Sequence, residues 1–244
     1  MGKISSFFQT IAKKLDEYDA SHNFTCDCCG REVFENERIC SLCRDELPYN
    51  DEQFCPFCGR PVLESGACLE CKQKPLVVER ARSVFLHEEG AVALVMRLKK
   101  GDRYLFRTLA TEMLPLALRE FPDVDLLVGV PMTERAQKAR GYNQSFLLAQ
   151  ELARLMGKEY LDALVKTRET QEQKSLGRRE REENLRGCFR VTQRSAVKGK
   201  RILIVDDIMT TGSTASELAF VLLRAGAKQV NLITATAVPQ KIFR

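Results

Sequence analysis

Two sets of residues have the types and spacing to do chemistry. The first is the acid pair Asp206 and Asp207, followed at once by Thr210, Thr211, Gly212, Ser213 and Thr214. Adjacent carboxylates accept hydrogen bonds from vicinal sugar hydroxyls or join a metal shell. A small, hydroxyl-rich loop that opens a helix gathers backbone N–H groups around a phosphate, and a glycine there lets the backbone come close. Together they suit a sugar phosphate. The second set is eight cysteines in four C-x-x-C pairs, Cys26/Cys29, Cys40/Cys43, Cys55/Cys58 and Cys68/Cys71. One pair offers two thiolates to a tetrahedral ion, so two pairs complete a four-cysteine zinc site.

The elements that must position the acid pair are readable on either side of it. Ile202 to Val205 is a continuous apolar, β-branched run, the pattern of a strand buried on both faces of a parallel sheet. Residues 215–224 carry apolar side chains at helical spacing and end at Gly226, a C-cap candidate. Ligands of open α/β sheets bind beyond the carboxyl ends of the strands, where this acid pair falls. Upstream, Ala81–Leu86 and Asp125–Val130 read as further strands, and 90–98, 104–119 and 144–156 as helices. A segment with the cations Arg135, Lys138 and Arg140 follows the strand at 125–130 and reads as a loop that holds a second anion such as pyrophosphate. From Arg135 to Arg201 there are 17 Lys and Arg against 8 Asp and Glu, which favours a phosphate-rich ligand, with or without nucleic acid. The polar stretch between Lys166 and Arg190, helical around Arg178 to Leu185, reads as a lid over the ligand.

Nine of the ten cysteines lie between Cys26 and Cys71. In a reducing compartment such a cluster is metal-binding rather than a disulfide framework. Two zinc ions are expected. The sequential pairing puts Cys26, Cys29, Cys40 and Cys43 on one ion and Cys55, Cys58, Cys68 and Cys71 on the other. A cross-braced pairing is compatible with the same spacing, and Cys28 is a spare thiol. Four protein ligands leave no open position, so the sites are structural, and the metal supplies folding free energy that so short a segment cannot get from burial. Residues 1–24 read as an amphipathic helix with Ile4, Phe7, Phe8, Ile11, Leu15 and Tyr18 on one face. Residues 25–74 form the metal module, a link follows, and 79–244 form the larger domain. No apolar run reaches the roughly 18 residues that span a bilayer, so no stable membrane insertion is expected. The N-terminus lacks a signal-peptide pattern, which makes the cytoplasm the expected location.

At Val205-Asp-Asp-Ile-Met-Thr-Thr-Gly-Ser-Thr214 the chain resembles the type I phosphoribosyltransferases and their motif for 5-phosphoribosyl-1-pyrophosphate (PRPP). The resemblance implies that Asp206 and Asp207 hold the ribose hydroxyls and Thr210 to Thr214 the 5′-phosphate, with magnesium accompanying PRPP. Arg140-Gly-Tyr-Asn-Gln144, Arg168-x-Thr-x-x-Gln173, Leu176-Gly-Arg178, Glu180-Arg181, Asn184, Gly187-Cys-Phe189 and Leu98-Lys-Lys-Gly-Asp102 narrow it to the ComF family. That family joins an N-terminal zinc module to a phosphoribosyltransferase domain. The implied fold is α/β, a mostly parallel sheet with flanking helices, preceded by a small cysteine-rich double zinc-ribbon module. The implied role is in natural competence and the handling of imported single-stranded DNA, with helicase or recombination proteins as partners. Arg135 or Arg140 would take the pyrophosphate. Lys138, Arg168, Gln173, Lys174, Arg178 and Arg181 would serve the second anion or the lid.

Two other readings stand beside it. The chain could be a single-stranded DNA-binding module whose PRPP site is regulatory or vestigial, or a nucleobase salvage enzyme. The zinc module is superfluous for salvage, and no base-recognition segment stands out. Neither of the two histidines, His22 and His87, is expected in the site, so no general base is foreseen.

Overall fold

The computed structural model describes residues 25–34, 37–51, 53–170 and 178–239. The expected helix at 1–24 lies outside them. The chain divides into two compact units, residues 1–47 and 48–244.

The first unit carries one cysteine quartet. Its thiols approach one another at a turn after Cys26, whose carbonyl accepts from Gly30 N–H, and at helix α1 (Ser41–Glu46). The second unit begins with a copy of that arrangement. Cys55 N–H donates to the Arg60 carbonyl as Cys26 N–H does to Arg31, and Gly59 N–H donates to Cys55 as Gly30 does to Cys26. Helix α2 (Leu69–Gln73) then follows Cys68 as α1 follows Cys40. Both glycines hold a left-handed backbone, φ 73° and 68°, which lets the turn close. The module is a duplicated ribbon.

Beyond it, five parallel strands form the main sheet in the order β1, β7, β6, β2, β3. These are β1 (Ala81–Leu86), β2 (Leu126–Gly129), β3 (Glu159–Tyr160), β6 (Arg201–Met209) and β7 (Gln229–Ala237). Strands β4 (Leu164–Lys166) and β5 (Phe189–Val191) make a separate antiparallel pair. Helices α3 (Glu89–Lys100), α4 (Leu105–Glu120), α5 (Glu134–Arg140), α6 (Gln144–Met156), α7 (Arg178–Leu185), α8 (Arg194–Val197) and α9 (Ser213–Arg224) complete the described elements. Ile202, Leu203, Ile204 and Val205 are wholly buried, as their apolar run demands.

Two sequence expectations change. The stretch read as a cationic loop after β2 contains helix α5, capped by the Thr133 hydroxyl and closed by Gly141 in the left-handed region. Strand β6 runs through Met209, so the acid pair lies within the strand rather than after it. Its pairing with β7 continues past the pair, with Asp206 opposite Thr234 and Ile208 opposite Thr236.

The second ribbon is packed onto the sheet. Tyr49 lies against Phe85 of β1, ring centroids 4.8 Å apart, and its hydroxyl donates to Glu112 at 2.8 Å. Arg82 stacks over Phe54, and Ala81 N–H donates to the Phe57 carbonyl. Gly59 has no room for a side chain, because a Cβ there would sit 2.5 Å from the Ala81 carbonyl oxygen. The segment expected to be a plain link is also packed: Leu76 rests against both the second cysteine quartet and the main core.

Candidate functional site

The carboxyl ends of β1, β6 and β7 open onto a cavity of about 600 Å³. Asp206, Asp207, Thr210, Gly212, Ser213 and Thr214 line it together, and so do Lys99, Lys100 and Arg140.

Asp206 and Asp207 are held differently. Ser145, the second residue of α6, donates its hydroxyl to Asp206 Oδ1 at 2.7 Å, and Asp207 N–H donates to the same oxygen at 2.9 Å. Helix α6 can reach that far because Gly129 ends β2: a Cβ there would lie 2.5 Å from the Phe146 ring and 2.8 Å from the Ser145 carbonyl. Asp207 is 4% exposed and is met by Lys99 Nζ, 2.7 Å from its Oδ2. Burial and the neighbouring Asp207 push the Asp206 carboxyl well above its ordinary range. For Asp207 burial pulls the same way but is outweighed by Lys99 and by a hydrogen bond from Asp206, so its carboxyl is held low.

The loop after β6 has the form a phosphate needs. Gly212 caps α9 in the left-handed conformation, φ 75°. Leu76 packs behind it, so that a Cβ would fall 2.7 Å from a Leu76 methyl. Thr211 and Ser213 exchange a hydroxyl hydrogen bond at 2.8 Å, and Ser213 N–H points to Thr211 Oγ1. The first turn of the twelve-residue helix α9 turns its N–H groups and positive dipole end to this loop.

The cations expected nearby divide. Arg140 lines the cavity, with Nη1 on Gln144 at 2.6 Å. Arg135 and Lys138 are exposed on α5, where Lys138 faces Glu134 at 4.0 Å, and neither is part of the cavity wall. Arg168 clips the two ends of the long arm between β4 and β5, donating to the carbonyls of Asn184 and Arg186. Arg178 and Arg181 fall on α7. Gln173 and Lys174 lie outside the described residues.

Sequence reasoning missed three wall residues. Lys99 and Lys100 end α3, a helix read only as packing, and their signal was the Leu98-Lys-Lys-Gly-Asp102 run. Tyr142 ties that end of the helix down by donating to the Leu98 carbonyl. The third is His87, which corrects the expectation that no histidine serves the site. It lines the cavity because β1 is parallel to β7: His87 N–H donates to Ala237 at 2.7 Å, and Nδ1 lies 2.9 Å from Thr236 Oγ1.

The cysteines fit zinc. In each quartet, Cys26, Cys29, Cys40 and Cys43 or Cys55, Cys58, Cys68 and Cys71, all sulfurs lie within 4.8 Å of one another. A tetrahedral ion with bonds of about 2.3 Å needs sulfurs about 3.8 Å apart. Cys29 and Cys40 are 3.9 Å apart, and Cys58 and Cys68 3.7 Å. The pairing is sequential, not cross-braced. Cys28 stays outside the first quartet, and burial pushes its thiol up to about 12.

Comparison with known proteins agrees with both halves. Residues 143–244 match the phosphoribosyl transferase domain and residues 23–72 the double zinc ribbon domain. The DNA utilization protein YhgH of Escherichia coli K12 is 35% identical over 204 residues, 80% of this chain and 88% of its own length. The chain belongs to the ComF family. Two further ComF relatives are competence protein ComFC of Bacillus subtilis, 27% identical over 78% of this chain and 80% of its own, and competence protein F of Haemophilus influenzae, 29% identical over 86% and 95%. The ComF plan, a double zinc ribbon and a phosphoribosyltransferase-type parallel sheet with flanking helices, is therefore that of this chain. No described helix is long and apolar enough to cross a membrane.

Proposed function

We propose that this chain binds PRPP with magnesium at the β6–α9 cavity and, as its relatives' names suggest, serves DNA uptake or utilisation in the cytoplasm. The observation that carries the reading is one cavity of about 600 Å³ walled by an acid pair, a glycine-capped phosphate loop and three cations. Thr210 to Thr214 would take the 5′-phosphate, Asp206 and Asp207 the two ribose hydroxyls, and Arg140 with Lys100 the pyrophosphate. Magnesium would supply charge neutralisation at the pyrophosphate oxygens. The exposed Arg135 and Lys138, and the arm that carries Arg168, Gln173, Lys174, Arg178 and Arg181, would close over the bound ligand. If a bond is broken, it is the one from the ribose anomeric carbon to pyrophosphate. The protein's contribution is then positioning and charge, with the carboxylates facing the positive charge that develops on the ribose.

Calorimetry with PRPP and magnesium on the wild type and on an Asp206→Asn/Asp207→Asn variant tests this. Heat in the first and none in the second is expected. Equal heats would remove the acid pair from the site.

A second reading has its own observation. A groove of about 800 Å³ lies beside α9, lined by Lys74, Arg186, Arg190, Arg194 and Arg224 with one acid, Glu217, and by Phe220. Phe220 is exposed, and the Arg224 guanidinium lies 5.7 Å from its ring centre. Cations with an accessible aromatic suit the backbone and bases of a single strand. Binding of a labelled oligothymidylate should fall with salt and fall further in Arg190→Glu/Arg194→Glu, while Asp206→Asn leaves it intact. Helicase or recombination proteins would then meet the chain through shared DNA.

A further inference from the structure

We propose that His87 is the general base of this cavity, and that an acceptor enters it along the β1–β7 edge. The inference rests on the PRPP reading above. If the phosphate loop, the acid pair and the Lys100–Arg140 side hold the three parts of PRPP, the wall that remains is made of His87, Lys99 and Thr234 with apolar side chains such as Met96, Leu232 and Val238. Lys99 is paired with Asp207 and the Thr234 hydroxyl donates to the Thr236 carbonyl, so the imidazole stands among mostly apolar side chains. That wall fits a neutral acceptor that carries an N–H or O–H on an apolar body.

The hydrogen bonds around the imidazole fix its tautomer. Thr236 has one hydroxyl proton, and it goes to the Asp207 carbonyl oxygen at 3.3 Å, an oxygen that can only accept. With the hydroxyl turned that way, Thr236 Oγ1 accepts from His87 and Nδ1 carries the ring proton, 2.9 Å away. Nε2 is left with its lone pair and makes no hydrogen bond to any described residue. Strand pairing holds this arrangement, because the His87 backbone is bonded to Ala237 at the end of β7. A base oriented through its second nitrogen is the arrangement that proton abstraction requires.

The charged groups that face the ring are Lys99 from α3 and Asp207 from β6, with Lys100, Arg140 and Asp206 on the same cavity; β7 offers hydroxyls only. Burial and Lys99 lower the imidazole pKa, and Asp207 opposes them. Burial and Lys99 thus favour the neutral ring, the form able to accept a proton. In the step itself the acceptor's lone pair forms the bond to the anomeric carbon. The bond to pyrophosphate breaks with its electron pair on the leaving oxygen, and the acceptor's proton passes to Nε2.

Water can stand in for the acceptor. Pyrophosphate release from PRPP and magnesium is measured across pH for the wild type and for His87→Asn, whose side-chain N–H can still donate to Thr236 but which has nothing at the Nε2 position. PRPP affinity is measured in parallel by calorimetry. Wild-type release should climb with pH to a plateau, with a midpoint below the usual imidazole value of about 6.5. His87→Asn should bind PRPP within about twofold, release pyrophosphate about 100-fold more slowly and lose the acidic limb. Equal rates at equal PRPP occupancy, or no release by a wild type that binds PRPP, would overturn the role of His87 and leave the PRPP site standing. A wild type that gives no PRPP heat would overturn the PRPP reading itself.

Discussion

Lys99 Nζ lies 2.7 Å from Asp207 Oδ2, and that contact sets the two carboxyls of the acid pair apart. Asp207 is almost fully buried, and desolvation alone would protonate it. Lys99 favours the ionised form of Asp207, while burial and Asp207 push Asp206 toward its neutral form. Helix α3 thus does more than cover the sheet, because its last turn supplies the cation that meets the acid pair.

Replacing Lys99 with methionine should strand the buried carboxylate. Breaking a fully buried pair costs roughly 3–5 kcal/mol. The Lys99 side chain is 23% exposed, so a loss of about 2–3 kcal/mol is expected here. In urea denaturation at pH 7 the midpoint should fall without a change in slope. PRPP heat should weaken as well. A variant as stable as the wild type would mean the ion pair is not formed in solution.

Asp206→Asn should do the opposite to stability. The folded-state pKa of Asp206 is raised, so its ionised form costs stability at any pH above the unfolded value near 3.9. That cost is greatest above the folded pKa and fades as pH falls toward the unfolded value. The amide removes it. At pH 7.5 the free variant should melt about 2–4 °C higher, a gain of roughly 1 kcal/mol, and the difference should shrink in acid. Its PRPP affinity should nevertheless fall, since one ribose acceptor is gone. Calorimetric melts with and without PRPP separate the two effects.

How much of this was legible beforehand follows from the range of each interaction. The strand Ile202–Val205, the glycine-capped hydroxyl loop that opens α9 and the cysteine pairs are local patterns, and each was readable from residue types within a dozen positions. His87 was not, because its place depends on β1 lying beside β7, some 150 positions away in the chain. Lys99 was missed for the same reason: helical periodicity shows which face of α3 is buried but not what its end meets. The left-handed cap at Gly141 makes a helix of what composition alone presents as a basic loop. Cationic residues near a strand end could be counted from the sequence, but only the direction of α5 separates Arg140 from Arg135.

The two ribbons supply a matched test of packing. Gly30 and Gly59 occupy equivalent turns with nearly the same positive φ, so alanine strains both backbones alike. A Cβ at Gly30 would meet nothing within 4 Å, whereas at Gly59 it would lie 2.5 Å from the Ala81 carbonyl oxygen. Gly30→Ala should lose about 1 kcal/mol and leave the sheet unit alone. Gly59→Ala should lose several times as much, because β1 or the ribbon must move. Thermal melts of the two variants, each with its zinc content measured, decide the point. Equal losses would show that only the turn conformation matters.

Leu76 extends that coupling to the ligand. It packs on the Cys55, Cys58, Cys68 and Cys71 cluster and stands behind Gly212, while Val77 N–H donates to Ser216 Oγ in the first turn of α9 at 3.3 Å. The second cysteine quartet therefore braces the Gly212 loop through Leu76. Cys71→Ser should lower the zinc content from two per chain to one and also weaken PRPP binding, though no residue of that site touches the cavity. Leu76→Ala should retain both ions and reproduce the weakened binding, with a stability loss of about 2 kcal/mol for a half-buried leucine. The comparison separates two causes. If Cys71→Ser weakens PRPP binding and Leu76→Ala does not, the metal acts by holding the fold as a whole. If both weaken it, the path from zinc to phosphate loop runs through this side chain.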